Sequence, residues 1–198
     1  ASISHDLKTP LTKAKLRVEM LSDTAVKEKL LQDLDDLETM VKASLQMVKD
    51  AAIHENTERV DLVGVLAHSL EAAEVAGLPF SLDVPETLVI ECRPLSIERL
   101  FTNLVDNALH YGRSVDIEAS QDASCESVIV RVMDRGPGIP ADQKSMVFEP
   151  YFRSGQKPSS IHVGLGLGIA KTIVQLHGGV IALDDRGGGG LMVTIGLP

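Results

Sequence analysis

The first 53 residues carry a helical pattern of apolar positions. Apolar side chains recur at gaps of four and three in two runs: Leu7, Leu11, Ala14, Val18 and Leu21, then Leu30, Leu34, Leu37, Val41 and Val48, with Ser44 or Leu45 at the position between the last two. This spacing is typical of amphipathic helices in a heptad register. Ser22–Thr24 offers a turn and an N-cap between them. The pattern predicts a helical hairpin, and because one hairpin buries little apolar surface, we expect two copies to form a four-helix bundle.

Beyond residue 58 the pattern changes to short apolar runs mixed with helical ones. It predicts helices over 62–76, 95–111 and 165–177, and strands over 80–84, 88–92, 114–120, 128–133, 180–183 and 191–197. Mixed strands and helices predict an α/β sandwich. The whole chain is therefore expected to be α+β, with a helical hairpin over 1–53, a polar linker over 54–58 and a sandwich domain over 59–198. The irregular stretch 139–163 is long enough to predict a functional lid.

Composition and charge exclude several classes of function. The net charge of −9 argues against a nucleic-acid surface. Cys92 and Cys125 fit no metal-ligand spacing and are expected to be reduced thiols. No apolar run approaches the roughly 18 residues that span a bilayer. Because the chain begins without Met inside a predicted helix, we expect it to be a fragment of a longer protein.

The segment from Ser4 to Leu11, with the sequence SHDLKTPL, is the first candidate for chemistry. At about 100° per residue, His5 lies opposite the apolar stripe of its helix and should face water. Asp6 can accept a hydrogen bond from one ring nitrogen, which leaves the other as a neutral nucleophile. Taken alone, a solvated surface histidine is the more common explanation of this position.

Two further segments combine polar side chains with glycines. Asn103 and Asn107 are four residues apart and share one helix face, and their amide oxygens suit Mg²⁺. Asp134 precedes Gly136 and Gly138. Its carboxylate can accept a hydrogen bond from an exocyclic amine, while the glycines allow backbone to approach a flat ring. Surface amides and an Asp-initiated turn are the structural alternatives.

Two more segments lie in or after the predicted lid. The sequence FEPYFR runs from Phe148 to Arg153, and GLGLG from Gly164 to Gly168 opens a helix. Backbone N–H groups at such a helix start can bind phosphate. The glycine spacing does not match the GxGxxG dinucleotide fingerprint, so a Rossmann fold is not expected.

Together these five segments resemble the sensor histidine kinases. The first matches their H-box at every position, and the others are similar, in order, to the N, G1, F and G2 boxes of their ATP-binding domain. That domain has the Bergerat fold shared with gyrase, Hsp90 and MutL. The resemblance covers nearly the whole chain. It implies ATP-dependent autophosphorylation of His5 with Asp6 as acid/base partner, then transfer to an aspartate of a response regulator.

The resemblance also implies partners and location. It implies a homodimer through residues 1–53, a receiver domain as partner, and regulator phosphatase activity in which Thr9 orients water. The chain would be the cytoplasmic portion of a parent protein anchored in the inner or plasma membrane.

ATP and Mg²⁺ are the implied cofactors. The resemblance implies that Asn107 ligates Mg²⁺, that Asn103 assists at the phosphates and that Asp134 reads the adenine amino group. The full implied ATP site comprises Asn103, Asn107, His110, Tyr111, Asp134, Gly136, Gly138, Ile139, Phe148, Phe152, Arg153, Gly164, Leu165, Gly166 and Leu167.

Departures from the family pattern keep two other functions open. His110 stands where the family usually has Lys or Arg, and His162-Val163 replaces the usual start of the G2 box, which puts ATP affinity in doubt. A degenerate kinase acting as a binding or phosphatase scaffold is therefore one alternative. A gyrase-like or Hsp90-like ATPase is the other, but such enzymes carry a water-activating Glu where this chain has Asn103, and an amide cannot act as a general base.

Overall fold

The computed structural model describes residues 2–21, 23–34, 37, 55–122, 127–149, 152 and 164–198, with side chains from Pro10 onward. These residues fall into two compact units, one within residues 1–54 and the other within residues 55–154 and 164–198. Within the ranges given, none of the helices combines the length and the apolar character needed to cross a membrane.

The first unit contains two helices joined by a capped turn. Helix α1 spans Ser2–Glu19 and α2 covers residues 24–34 and 37. Asp23 Oδ1 accepts hydrogen bonds from the backbone N–H groups of Ala25 and Val26, both at 3.1 Å, which confirms the predicted N-cap. Lys27 forms an ion pair with Glu19 across the turn.

The apolar stripe of this unit is only partly covered in the single chain. Leu11, Ala14 and Val18 are partly buried, whereas Leu30 and Leu37 are exposed. The last two positions of the predicted pattern, on the second helix, lie outside the described residues. Exposed apolar positions on a helical hairpin are those that a second copy could cover.

The second unit is a sheet covered by helices. Its elements are β1 (Glu58–Asp61), α3 (Leu62–Ser69), α4 (Glu71–Val75), β2 (Phe80–Asp83), β3 (Val89–Cys92), α5 (Pro94–Gly112), β4 (Val115–Asp122), β5 (Ser127–Met133), a 3₁₀ turn (Met146–Phe148), α6 (Gly166–Leu176), β6 (Val180–Asp185) and β7 (Leu191–Leu197). Five strands form one sheet in the order β2-β4-β5-β7-β6. Only β2 and β4 pair in parallel in this sheet. Strands β1 and β3 form a separate antiparallel pair.

The core lies between the five-stranded sheet and helices α5 and α6. Along β5 and β7, and along β4 as far as Ala119, every second side chain is buried, as with Ile117, Val130 and Ile195. From α5, Phe101 and Leu104 fill the space between the layers. Helices on a mixed sheet confirm the predicted α+β class.

Two local features differ from the prediction. The helix expected over 62–76 is divided at Leu70 into α3 and α4. The Ser69 hydroxyl donates to the Leu66 carbonyl at 2.7 Å, a bond that competes with regular helix. Strand β1 was not predicted, because Val60 is its only apolar residue and no alternation is visible.

The segment predicted as a linker contributes a helix cap. The Glu55 carboxylate accepts hydrogen bonds from the backbone N–H groups of Leu95 and Ser96 and from the Ser96 hydroxyl. A carboxylate at a helix N-terminus satisfies unpaired N–H groups and interacts favourably with the helix dipole. Glu55 therefore stabilises the start of α5.

Candidate functional site

Asp134 follows β5 directly and is held by two backbone donors. Only 7% of the residue is exposed. Its Oδ1 accepts hydrogen bonds from the N–H groups of Gly136, at 2.7 Å, and Leu191, at 3.2 Å. Because both bonds end on the same oxygen, Oδ2 keeps its lone pairs for a ligand that donates a hydrogen bond.

The electrostatic environment of Asp134 is unusual for a carboxylate. Burial raises the pKa of Asp134 above its ordinary value, while the hydrogen bonds from Gly136 and Leu191 and the charge of Arg186 act in the opposite direction. Desolvation disfavours the charged form, so the free protein holds this carboxylate at a cost. Such a perturbed group beside a glycine turn is a candidate for function.

The C-terminal end of α5 lies directly against the Asp134 turn. A Cβ atom added to Gly112 would stand 2.6 Å from the Asp134 Cβ, and one added to Gly136 would stand 2.8 Å from the Tyr111 carbonyl oxygen. Both positions therefore exclude any side chain. Tyr111 itself is 45% exposed, and its ring packs edge to face on His110 with centroids 4.6 Å apart.

The two asparagines of α5 lie one and two turns before this contact. Asn107 meets the start of α6, because a Cβ atom added to Gly166 would stand 2.9 Å from Asn107 Nδ2 and 3.2 Å from its Oδ1. Asn103 Nδ2 is buried and has no hydrogen-bond partner among the described residues. An unsatisfied buried donor is costly, and native proteins keep such groups where a ligand or water completes them.

The root of the predicted lid is fixed on α6. A Cβ atom added to Gly168 would stand 2.9 Å from the Phe148 carbonyl oxygen, so the 3₁₀ turn and α6 are in direct contact. On the same helix, Lys171 Nζ lies 4.9 Å from the centre of the Phe148 ring. This cation–π contact strengthens the attachment.

Most of the other predicted ATP-site residues lie shortly after Asp134 or around the start of α6. Gly138, with φ +72°, faces the carbonyl of Gly190, and Gly164 has φ +73°. Leu165 is buried, whereas Ile139, Phe152 and Leu167 are partly buried. Arg153, His162 and Val163 lie outside the described residues.

The predicted acceptor residues lie on α1. His5, Asp6 and Thr9 are within Ser2–Glu19, and their side chains lie outside the described part of the structure. Pro10 also lies inside this helix and is exposed. The acceptor segment therefore lies within α1.

Arg186, Gly190 and Leu191 were missed as site residues. They lie at the turn between β6 and β7, which contains the glycine run 187–190, and at the start of β7. The Asp134 N–H donates to the Leu191 carbonyl at 2.9 Å, and Arg186 Nη1 donates to the Asp134 carbonyl at 3.3 Å. The glycine run was the only available signal, because nothing local in the sequence indicates that this turn lies on Asp134.

Two family models match the sequence. Residues 92–198 match the histidine kinase-, DNA gyrase B- and HSP90-like ATPase family, and residues 1–52 match the His Kinase A (phospho-acceptor) domain. The first match covers α5, the Asp134 turn, α6 and the final hairpin, which are the elements that build the site.

Curated relatives are sensor kinases. The chain is 43% identical over 204 residues to sensor histidine kinase GtrS of Pseudomonas aeruginosa, covering all of this chain and 41% of that protein. It is 31% identical over 214 residues to sensor protein KdpD of Escherichia coli, covering all of this chain and 24% of that protein. The chain thus spans less than half the length of these relatives.

Solved structures agree with the sequence matches. A mycobacterial sensor histidine kinase, MprB, superposes with a TM-score of 0.65 at 30% identity, over 71% of this chain and 97% of that one. Histidine kinase AdeS of Acinetobacter baumannii gives 0.63 at 25% identity, over 99% of this chain and 98% of that one. The chain therefore belongs to the sensor histidine kinases of two-component systems, with a phospho-acceptor segment followed by an ATPase domain of the Bergerat fold.

Proposed function

We propose that this chain transfers the γ-phosphoryl group of ATP to His5 and then passes it to an aspartate of a response regulator. The observation that carries the proposal is the buried Asn103 Nδ2 atom, which has no hydrogen-bond partner among the described residues, on the helix that also presents Asn107 and the Tyr111 backbone to the site. These residues follow each other at intervals of four, so they lie along one face of α5. One helix thereby spans the distance between a base and its phosphates.

Adenine recognition is assigned to Asp134. Its Oδ1 is occupied by two backbone donors, and Oδ2 can accept a hydrogen bond from the exocyclic amine. Gly136 and Gly138 let the backbone beside the carboxylate pack closely on the Tyr111 and Gly190 carbonyls, and the family resemblance assigns this turn to one side of the ring. Guanine presents a carbonyl oxygen where adenine has this amine, so an ionised carboxylate selects against it.

The phosphate end is assigned to Asn103, Asn107 and the start of α6. The orphaned Asn103 Nδ2 is a donor that a phosphate oxygen can satisfy, and Asn107 offers an amide oxygen to Mg²⁺. Among the described residues no cluster of three or more His, Cys, Asp or Glu could hold a metal. Mg²⁺ keeps several waters and takes phosphate oxygens as ligands, so few of its ligands need to come from the protein. When bound, the ion neutralises charge on the phosphates.

The transfer step needs little covalent chemistry from the ATPase domain. A neutral ring nitrogen of His5 forms the new N–P bond as the bond from the γ-phosphorus to the bridging oxygen breaks, and that oxygen leaves with ADP together with the electron pair. The proton on the other ring nitrogen passes to Asp6, so that the phosphorylated ring is neutral. Asp6 accepts a hydrogen bond from the other ring nitrogen and keeps the attacking nitrogen unprotonated. Asn103 and Asn107 would hold the phosphates in line for this attack, and Mg²⁺ bound at Asn107 would neutralise phosphate charge.

The proposal extends to organisation and partners. We assign dimerisation and phosphotransfer to residues 1–53, the linker to 54–58 and catalysis to 59–198. The exposed Leu30 and Leu37 support dimerisation. A relative named histidine-protein kinase/phosphatase MprB, from Mycobacterium bovis, is 31% identical, which supports a second, phosphatase activity with Thr9. A membrane location of a longer parent protein stays a prediction.

Radiolabelled ATP tests the proposed acceptor. The chain should take up a γ-phosphoryl label that is lost in acid and stable in base, and His5→Gln should take up none. His68→Gln is the matched control, because His68 is an exposed histidine outside the site, paired with Glu71. Label that persists in His5→Gln would remove His5 from the mechanism.

Gly166→Ala should separate catalysis from stability. The added methyl group meets the end of the flexible Asn107 side chain at 2.9 Å, so Asn107 must turn away while the fold absorbs the change. We expect the autophosphorylation rate to fall about tenfold, which corresponds to loss of about one hydrogen bond to a charged group. The free energy of unfolding, measured in urea, should change by less than about 1 kcal/mol.

Gly64→Ala is the control for the exchange at Gly166. Gly64 lies in α3, and a Cβ atom there would meet nothing within 4 Å. Alanine should stabilise this helix by about 0.5–1 kcal/mol and leave the phosphorylation rate unchanged. Equal autophosphorylation rates for Gly166→Ala and Gly64→Ala would show that phosphorylation does not require the observed position of the Asn107 side chain.

A further inference from the structure

Arg186 links the Asp134 backbone to Asp116 on strand β4. It follows β6 directly, and its side chain is 16% exposed. Nη1 donates to the Asp134 carbonyl at 3.3 Å, while Nη2 donates to Asp116 Oδ2. A guanidinium is planar and its donors have fixed directions, so holding one contact sets the position of the other.

Asp116 is a firmly held anchor for this guanidinium. It lies on β4, where the Ser81 hydroxyl donates to its Oδ1 at 2.6 Å and Arg135 Nη2 lies 3.6 Å from its Oδ2. Burial acts to raise the pKa of Asp116, but the hydrogen bonds from Ser81 and Arg186 outweigh it and hold the pKa below its ordinary value. Asp116 therefore stays ionised at neutral pH and keeps Arg186 in place.

Arg186 also begins the turn that supplies a donor to the Asp134 carboxylate. Its N–H donates to the Gly190 carbonyl at 3.1 Å, and Leu191, the next residue, donates to Asp134 Oδ1. Gly190 lies so close that an added Cβ atom would overlap the Asp134 carbonyl oxygen. Movement of Arg186 would therefore displace groups that bond to both the backbone and the side chain of Asp134.

We propose that Arg186, anchored by Asp116, is a positioning residue that fixes the Asp134 carboxylate for selective recognition of adenine. The proposal rests on the proposed function, in which Asp134 reads the base. Arg186 does not touch the nucleotide in this scheme. It holds the turn and the carbonyl so that Oδ2 has one orientation toward the exocyclic amine, and selectivity against guanine depends on that orientation.

Nucleotide affinities of Arg186→Met test the proposal. Met keeps most of the stem but loses both donors. We expect MgATP to bind about tenfold more weakly by titration calorimetry of the full chain, the effect of about one hydrogen bond to a charged group. MgGTP affinity should change less, so the ratio of ATP to GTP affinity falls. Arg186→Lys should recover part of the ratio, because one ammonium can reach one of the two acceptors.

Arg131→Met is the matched control. Arg131 on β5 pairs with Glu118 on β4, the two strands that precede Asp134 and carry Asp116, respectively. No described contact joins Arg131 to Asp134. Its exchange should leave the ATP-to-GTP ratio unchanged. If Arg186→Met lowers both affinities equally, the residue only supports the hairpin and the proposal is overturned. The ratio does not depend on the folded fraction, so partial unfolding cannot mimic the expected result.

Two further variants distinguish failure of this proposal from failure of the proposed function. Asp134→Ala should lose ATP binding, and if it binds ATP like the wild type, the assigned role of Asp134 is wrong. If Asp134→Ala loses binding but Arg186→Met keeps the wild-type ratio, only the positioning role fails. Asp116→Asn should lower the ratio and add little to Arg186→Met in the double variant, because both act on one contact.

Discussion

Exchange of Asp134 for Asn is expected to abolish selectivity for ATP while the protein stays folded. Asn can place its amide oxygen where Oδ1 lies and keep the hydrogen bonds from Gly136 and Leu191. Its NH₂ group then occupies the position of Oδ2 and faces the amine of adenine, donor against donor. A polar group left unpaired in such a site is strongly unfavourable, so we expect ATP affinity to fall about 100-fold or more.

The same variant should not lose stability. Because the pKa of Asp134 is raised in the folded protein, protonation of Asp134 favours folding, and this contribution to stability is lost as the pH rises through the folded-state pKa. At neutral pH the ionised carboxylate therefore opposes folding, and neutral Asn removes that cost. The free energy of unfolding in urea should be equal to or above that of the wild type at pH 7, with the difference shrinking toward acid.

Asp83→Asn controls for the change in net charge. Asp83 is exposed at the end of β2 and should alter neither property. MgGTP affinity is a second measurement, because the Asn NH₂ group can donate to the guanine carbonyl and should shift the preference toward GTP. Unchanged ATP affinity in Asp134→Asn, in a protein that remains folded, would show that Oδ2 does not contact the base.

The parts of the fold that could be predicted are those with long local patterns. Helix α5, expected over 95–111, spans Pro94–Gly112, because its apolar face repeats over almost five turns and its ends are marked by Pro and Gly. The division of α3 from α4 at Leu70 and the short strand β1 left no such pattern. Their form depends on a hydroxyl bond and on pairing with β3.

The residues of the candidate site also fall into two groups, those marked by a distinctive local sequence and those without one. Asn107, Asp134 and Gly166 lie in segments whose composition is unusual over five or six residues, and each was predicted. Arg186 was not predicted, because its partner Asp116 is 70 residues away and neither has a distinctive neighbourhood. A sequence shows which groups are suited to bind a ligand, whereas the groups that orient them become visible only when the sheet brings β4, β5 and the last hairpin together.

Gly190→Ala should be the most destabilising exchange in the site. Gly190 has φ +114°, which costs a residue with a side chain about 1–3 kcal/mol. In addition, an added Cβ atom would overlap the Asp134 carbonyl oxygen, and the backbone must move to relieve that overlap, at a further cost of about 1–3 kcal/mol. We expect a loss of about 3 kcal/mol or more in the free energy of unfolding in urea.

The displacement should also reach the nucleotide. Moving Gly190 carries Leu191 with it, and Leu191 donates to Asp134 Oδ1, so the remaining folded protein should bind MgATP weakly. Gly188→Ala is the matched control in the same turn, since it has φ +90° but nothing within 4 Å of an added Cβ atom. It carries the backbone strain alone, about 1–3 kcal/mol, and should keep wild-type affinity when folded. Equal losses of affinity in the two variants would mean that the turn acts through its flexibility and that contact with Asp134 is irrelevant.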